Sequence, residues 1–276
     1  MLYPTGATIY MASRSLERAE KAIKEITATD ESGAARLKFL HLDLNDLNTV
    51  RSAAKSFAEQ ESRLDILWHN AGIGSVPVGS KTKQGIEAHM GVMAVAALLL
   101  TQLLYPQLKA AASNAPRNSV RIVWTSSYLL EMKAPIGGYV IADIEKGGIN
   151  DPIVNYATSK AANWMLADEA GKRYGKDGIL SVVQNPGNLN TRIYDTQPRL
   201  LMFFTRFILY HPKFGAYTEL FAGLSGEITE KHQGAYIIPW GRIQPMNPRK
   251  DIYESLEQGK GKELWEWCED QVKQHG

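Results

Sequence analysis

A tyrosine four residues ahead of a lysine on one helix brings a phenol and an ammonium to the same face. Tyr156 and Lys160 stand in this relation in the 276-residue chain. The chemistry open to such a pair is proton transfer. A phenol has a pKa of about 10, too high for a good base near neutrality, and a neighbouring ammonium lowers it by favouring the phenolate. Spacing alone is poor grounds, because the chain has 12 tyrosines and Tyr105 with Lys109 repeats the pattern. Order separates the two pairs. An apolar run closing in Ser126-Ser127 precedes Tyr156, and another closing in Asn185-Pro186-Gly187 follows it. Tyr105 has Pro106 beside it, with no serine run before and no Pro-Gly turn after. A hydroxyl such as that of Ser127 can donate to an oxygen on which charge develops. The plainer alternative is an exposed helix face and an ordinary strand end.

These residues need a frame. Apolar, β-rich runs at 7–12, 37–42, 64–68, 120–125 and 180–184 alternate with helical periodicities at 16–26, 47–60, 86–108 and 156–174. Strands apolar on both faces, joined by crossover helices, predict an α/β fold with a parallel sheet between two helix layers. No linker, repeat or composition shift divides residues 1–276, so one domain is expected, completed by segments 215–223, 234–239 and 263–272. In such a sheet ligands bind beyond the carboxyl ends of the strands. Those ends carry Ser13-Arg14, Asp43-Leu44, Asn70-Ala71-Gly72, Ser126-Ser127 and Asn185-Pro186-Gly187, running on to Thr191.

Composition narrows the partners. Lys+Arg 31 against Asp+Glu 29 gives no bulk electrostatic case for nucleic acid or an anionic membrane. One cysteine, Cys268, and scattered histidines offer neither an internal disulfide nor a metal site. With no secretory leader at residues 1–10, the expectation is a cytoplasmic protein. The longest apolar runs, 91–104 and 200–210, fall short of the roughly 20 residues that span a bilayer, so no transmembrane segment is expected.

Taken together, the ordered motifs resemble the short-chain dehydrogenase/reductase family over nearly the whole chain. They are Asn70–Gly72, Ser127, Tyr156-xxx-Lys160 and Pro186-Gly187-xxx-Thr191. Segment 215–241 is similar to fungal secondary-metabolism and retinol-dehydrogenase-like members. The resemblance implies a Rossmann-like doubly wound parallel sheet and hydride transfer between a nicotinamide nucleotide and a ketone or secondary alcohol. Tyr156 would be the acid or base, Lys160 would lower its pKa and hold the nicotinamide ribose, and Ser127 would polarise the substrate oxygen. Asp43 and Leu44 match positions that meet the adenine, Asn70 the adenosine ribose, and Leu189 and Thr191 the carboxamide. Turn or helix-cap roles are the alternatives for Asp43 and Asn70. Arg14, where an NAD enzyme more often carries an acid, suits a 2′-phosphate, so NADP is expected rather than NAD. Run 200–210 falls where the family carries its substrate-covering loop, which implies a small lipophilic carbonyl or alcohol substrate. The apolar circumference of helix 86–108 fits core burial and fits a homo-oligomer equally.

The chain also departs from the pattern. The family opens with a strand and a turn, Thr-Gly-xxx-Gly-x-Gly, that holds the pyrophosphate, and neither is in this sequence. The fold is therefore expected to lack its first βα unit. Either the reading is truncated, or the flanking strands pair directly across the missing central one. Met93 falls where the family has a catalytic Asn, and a thioether is a weak acceptor and no donor. A catalytically inactive remnant or binding protein is the alternative function.

Overall fold

The computed structural model describes residues 1–28, 30–191, 209–243 and 249–275. The larger sheet holds the strands most apolar in sequence. Strands β3 (Ile66–His69), β4 (Val120–Thr125), β5 (Ile179–Gln184) and β6 (Tyr236–Ile238) are parallel, and β7 (Arg242–Ile243) turns back antiparallel on β6. Every residue of β4 and β5 is buried. A fully buried Val, Leu or Ile contributes about 1.5–3 kcal/mol, so these two strands are the stiffest part of the platform.

The crossover helices start where the sequence supplies caps. Helix α2 (Leu47–Gln60) opens on Asp46, whose side chain accepts from the Asn48 amide, and buries Leu47, Val50, Ala54 and Phe57. Helix α6 (Pro152–Tyr174) opens four residues before Tyr156, because Asp151 accepts from the amides of Ile153 and Val154 and Pro152 takes the first position. Helix α3 spans Ala88–Ala112, with a π segment at Gly91–Val95 that carries Met93. It is longer than the apolar run 91–104 suggested and passes the length and composition test for a membrane span. Its most apolar 18-residue window is 83% buried inside the fold, which makes it a core helix. Core burial thus accounts for its apolar circumference without a second copy.

Helices α2, α3 and α6 enclose the main core on one face of the sheet, joined by the C-terminal helix α9 (Lys260–Gln274). Helix α7 (Pro212–Leu224) covers the other face over Val123, Leu180, Val182 and Ile237. Short helices α4 (Tyr128–Lys133), α5 (Ile141–Glu145) and α8 (Lys250–Glu257), which periodicity does not reveal, complete the described elements. The class is α/β with a parallel sheet, as the alternation predicts.

Strand β1 (Ile9–Ser13), followed by α1 (Leu16–Thr27), pairs among the described residues with β2 (Leu37–His41) alone, in a separate two-stranded parallel sheet. Direct pairing of β1 with β3, one of the two arrangements considered from sequence, is not adopted. In the doubly wound order one strand stands between these two edges. The small sheet is fastened through α2 instead: the Tyr10 ring meets Phe57 edge-on at 4.8 Å, and the Tyr10 hydroxyl donates to Glu61.

Candidate active site

Because β3, β4 and β5 are parallel and in register, with His69 beside Trp124 and Thr125 beside Gln184, their carboxyl ends form one ledge. Ser126 and Ser127 follow β4 and divide the labour. The Ser126 hydroxyl donates to the carbonyl of Lys160 at 2.8 Å and pins α6 to the ledge. Ser127 caps α4, its Oγ accepting from the Leu129 amide at 3.2 Å, which leaves its O–H to donate.

Helix α6 brings Tyr156 and Lys160 to the same place. Tyr156 is half-buried, Lys160 is buried, and the ammonium lies 5.5 Å from the centre of the phenol ring, within cation–π range. Lys160 Nζ donates to the Thr125 carbonyl at 3.0 Å, and Asn163 Nδ2 donates to the same oxygen at 2.7 Å. Burial pushes the Lys160 ammonium down to about 8, against an opposing pull from the Glu219 carboxylate. His89 meets the Tyr156 ring edge-on at 6.1 Å.

The Asn70–Gly72 turn closes the site from β3. A Cβ on Gly72 would lie 3.1 Å from Met93 Sδ and 3.7 Å from Lys160 Nζ. Met93 Sδ and Lys160 Nζ thus both border the space at Gly72, and the Ser159 hydroxyl reaches the same sulfur at 4.0 Å. His69, before the turn, pairs with Thr101 Oγ1 at 2.7 Å, and complete burial pushes its pKa down to about 3, so it stays neutral. Asn70 itself is exposed.

After β5, Gly187 adopts φ +88°, and a Cβ there would meet the Trp240 ring at 2.8 Å. That ring belongs to a cavity of about 350 Å³ lined by Tyr128, Tyr210, Ile238, Pro239 and Trp240, with Glu131, Asn185, Gly187, Asn188 and Arg242. It adjoins Ser127 through Tyr128; Tyr156 is not among its walls. Leu189 bridges to Tyr210 and packs on Gly215. Thr191 is the last described residue before 192–208. Most of run 200–210, expected to cover the site, lies outside the described residues; Tyr210 does line the cavity.

The remaining expected contacts sit on the small sheet. Arg14 is exposed just past β1. Asp43 is partly committed to its own turn: Oδ1 accepts from the Asn45 amide at 3.0 Å and its carbonyl accepts from Thr49 Oγ1 at 2.6 Å. Leu44 leans on the main core. The structure thus gathers Ser127, Tyr156, Lys160 and Gly72 on one ledge and leaves Arg14, Asp43 and Leu44 on a second, smaller one.

Sequence reasoning missed the layer beneath. On the opposite face of the sheet, Thr125 Oγ1 donates to Glu219 Oε1 at 3.1 Å, and Gln184 Nε2 donates to the same oxygen at 2.6 Å and to Thr125 Oγ1 at 3.0 Å. The available signal was two polar residues, Thr125 and Gln184, closing otherwise apolar paired strands.

Comparison with known proteins identifies the family. The profile of the short chain dehydrogenase family matches residues 1–140. A short-chain dehydrogenase/reductase of Pestalotiopsis fici, iacJ, is 53% identical over 278 residues, covering 100% of this chain and 85% of that protein. The chain is a short-chain dehydrogenase/reductase. A second relative, bet4 of Neocamarosporium betae, is 38% identical across 99% of this chain and 81% of its own length. Among solved structures, the NADPH-bound carbonyl reductase from chicken fatty liver superposes with a TM-score of 0.61 at 23% identity, over 86% of this chain and 87% of that one. This dehydrogenase/reductase therefore shares the Rossmann-type fold of that enzyme and belongs to an oxidoreductase family acting on small substrates.

The residues at the ledge fit the nicotinamide ribose end of such a cofactor. Lys160 donates one N–H to the Thr125 carbonyl, and an ammonium has three. No described residue is assigned to the pyrophosphate, because the Gly-rich turn is not in this sequence.

Proposed function

We propose that the protein is an NADP(H)-dependent oxidoreductase that interconverts a lipophilic ketone and its secondary alcohol. The observation that carries this reading is the buried Lys160 ammonium over the face of Tyr156, on the ledge that also bears Ser127. When bound, the cofactor supplies or accepts the hydride. In reduction Ser127 donates to the carbonyl oxygen and orients it, and Tyr156 passes its phenolic proton to the oxygen as charge develops there. In oxidation the phenolate takes the hydroxyl proton. Lys160, protonated near neutrality, holds the phenolate's charge and the nicotinamide ribose.

NADP rather than NAD rests on Arg14 at the end of β1, where a guanidinium suits a phosphate monoester. NADPH in the chicken carbonyl reductase supports the same choice. The aromatic walls of the cavity favour a lipophilic ring-bearing substrate, and Glu131, Asn185 and Arg242 give it a polar edge. Similarity of 215–241 to fungal members, together with the fungal relatives, supports a place in secondary metabolism.

A second reading, a binding protein without turnover, is favoured by Met93, whose sulfur cannot donate and accepts only weakly, from the Ser159 hydroxyl at 4.0 Å. Two measurements separate the readings. The oxidoreductase binds NADPH, seen as a change in nucleotide fluorescence, and oxidises it when a lipophilic ketone is added; the binding protein shows at most the first. Arg14→Glu should weaken NADPH by about tenfold and leave NADH unchanged, and equal effects on both would remove the case for NADP.

A further inference from the structure

The buried groups under the ledge do more than fill space. Thr125 carries polar atoms to both faces of the sheet: its carbonyl accepts from Lys160 Nζ at 3.0 Å, and its hydroxyl donates to Glu219 Oε1 at 3.1 Å. Glu219 is half-buried on α7, with its carboxylate turned inward. Its Oε1 takes both hydrogen bonds, while Oε2 is buried with no partner among the described residues. Gln184 Oε1 and Asn163 Oδ1, bonded into the same network through their amide nitrogens, are likewise buried and unpartnered. A buried carboxylate without a full set of donors is costly unless a cation compensates it.

Only one ionisable neighbour supplies that charge among the described elements packed here. Strand β4 brings Arg121, but its guanidinium is spent on the carbonyls of Asn118, Ala222 and Ser225. Strand β3 brings His69, kept neutral by burial. Strand β5 has no ionisable side chain, and β6 brings Tyr236, whose hydroxyl goes to Glu131. On α7 itself, Lys213 is exposed at the first turn, over the Phe214 ring. Lys160 remains. Each group acts on the other: Glu219 holds the ammonium's pKa up against burial, and Lys160 draws down the carboxyl, which burial pushes up to about 7.

We infer that Glu219 is a positioning residue for the reaction: through Thr125 it is the counter-charge that keeps Lys160 an ammonium beneath Tyr156. The inference rests on the acid–base reading of Tyr156 and Lys160. It also gives Met93 a context. Met93 offers the ammonium no charge, and Glu219 supplies it from the opposite face of the sheet.

The test is a pH titration of Glu219→Gln. In the wild type, the carbon-13 resonance of Lys160 Cε, assigned by its loss in Lys160→Met, titrates near pH 8 without cofactor. In Glu219→Gln it moves down by on the order of one pH unit, and the alkaline limb of kcat for ketone reduction moves with it while KM changes little. Glu219→Asp keeps the charge but withdraws it from Thr125, so its limb lies between the two; it also decides the matter if Glu219→Gln does not fold. A folded variant of either kind with the Lys160 titration unmoved overturns the inference. Absence of turnover in the wild type overturns the acid–base reading instead.

Discussion

Two Tyr-Lys pairs stand on two helices of this molecule at the same spacing, and the helix gives them nearly the same geometry. The ammonium of Lys160 lies 5.5 Å from the centre of the Tyr156 ring, and that of Lys109 lies 5.8 Å from the centre of the Tyr105 ring. Their surroundings are opposite. The Tyr105 hydroxyl donates to Asp177 at 2.7 Å, and exposed Lys109 pairs with the same carboxylate at 2.9 Å. That carboxylate raises both groups' pKa values, the Tyr105 phenol's and the Lys109 ammonium's, which holds the phenol protonated. At Lys160 burial instead lowers the ammonium's pKa, and its hydrogen bond goes to a backbone carbonyl. Spacing makes the contact, and the environment decides whether the contact does chemistry.

Breaking the pairs at their lysines should give the largest contrast. Lys160→Met is expected to cost on the order of 10²–10⁴ in turnover while the protein still folds, because Asn163 continues to satisfy the Thr125 carbonyl. Lys109→Met should leave turnover within about twofold. In the wild type, reduction should fade as pH rises through about 8, where Lys160 gives up its proton. The sign is fixed by burial, which lowers an ammonium's pKa; a pH-rate profile flat from 7 to about 9 would contradict it.

The cavity sharpens the comparison next. Trp240→Ala removes the ring packed over Gly187 and should raise KM for a lipophilic ketone by about tenfold with kcat less affected, as loss of apolar contact predicts. Gly187→Ala places a methyl 2.8 Å from that ring at φ +88° and should cost about 1–3 kcal/mol, read as a drop of several degrees in Tm. Met93→Leu should be nearly silent, within about twofold in turnover, since the sulfur accepts only weakly from the Ser159 hydroxyl, which also donates to the Tyr156 carbonyl at 2.6 Å. A large loss there would show that the sulfur has a polar task.

Much of this was legible in one dimension. The alternation of elements is set by hydrophobic period and capping, both local; Asp46 and Asp151 each accept from first-turn amides, and the second of these starts its helix four residues before the periodicity from 156 indicates. Ser127, Tyr156 and Lys160 could be picked out because parallel strands put every βα junction on one edge. Other features depend on contacts between distant segments. Nothing near Glu219 in sequence points to Thr125, 94 residues away. The division between Ser126, spent on Lys160, and Ser127, left to donate, needs the packing of α6. Asp43 could be read as a cofactor contact or a turn residue, and its hydrogen bonds to the turn are now visible. Periodicity places α3 at 86–108, and its observed span, Ala88–Ala112, runs four residues further because the last turn carries few large apolar side chains.

The central claim is that Tyr156, and not Tyr105, moves the proton. It is tested most directly by comparing NADPH-dependent reduction of a lipophilic ketone in Tyr156→Phe and Tyr105→Phe, with NADPH affinity measured in both. The account predicts that Tyr156→Phe loses turnover by on the order of 10²-fold or more and keeps NADPH affinity, while Tyr105→Phe matches the wild type. Turnover retained in Tyr156→Phe would contradict it.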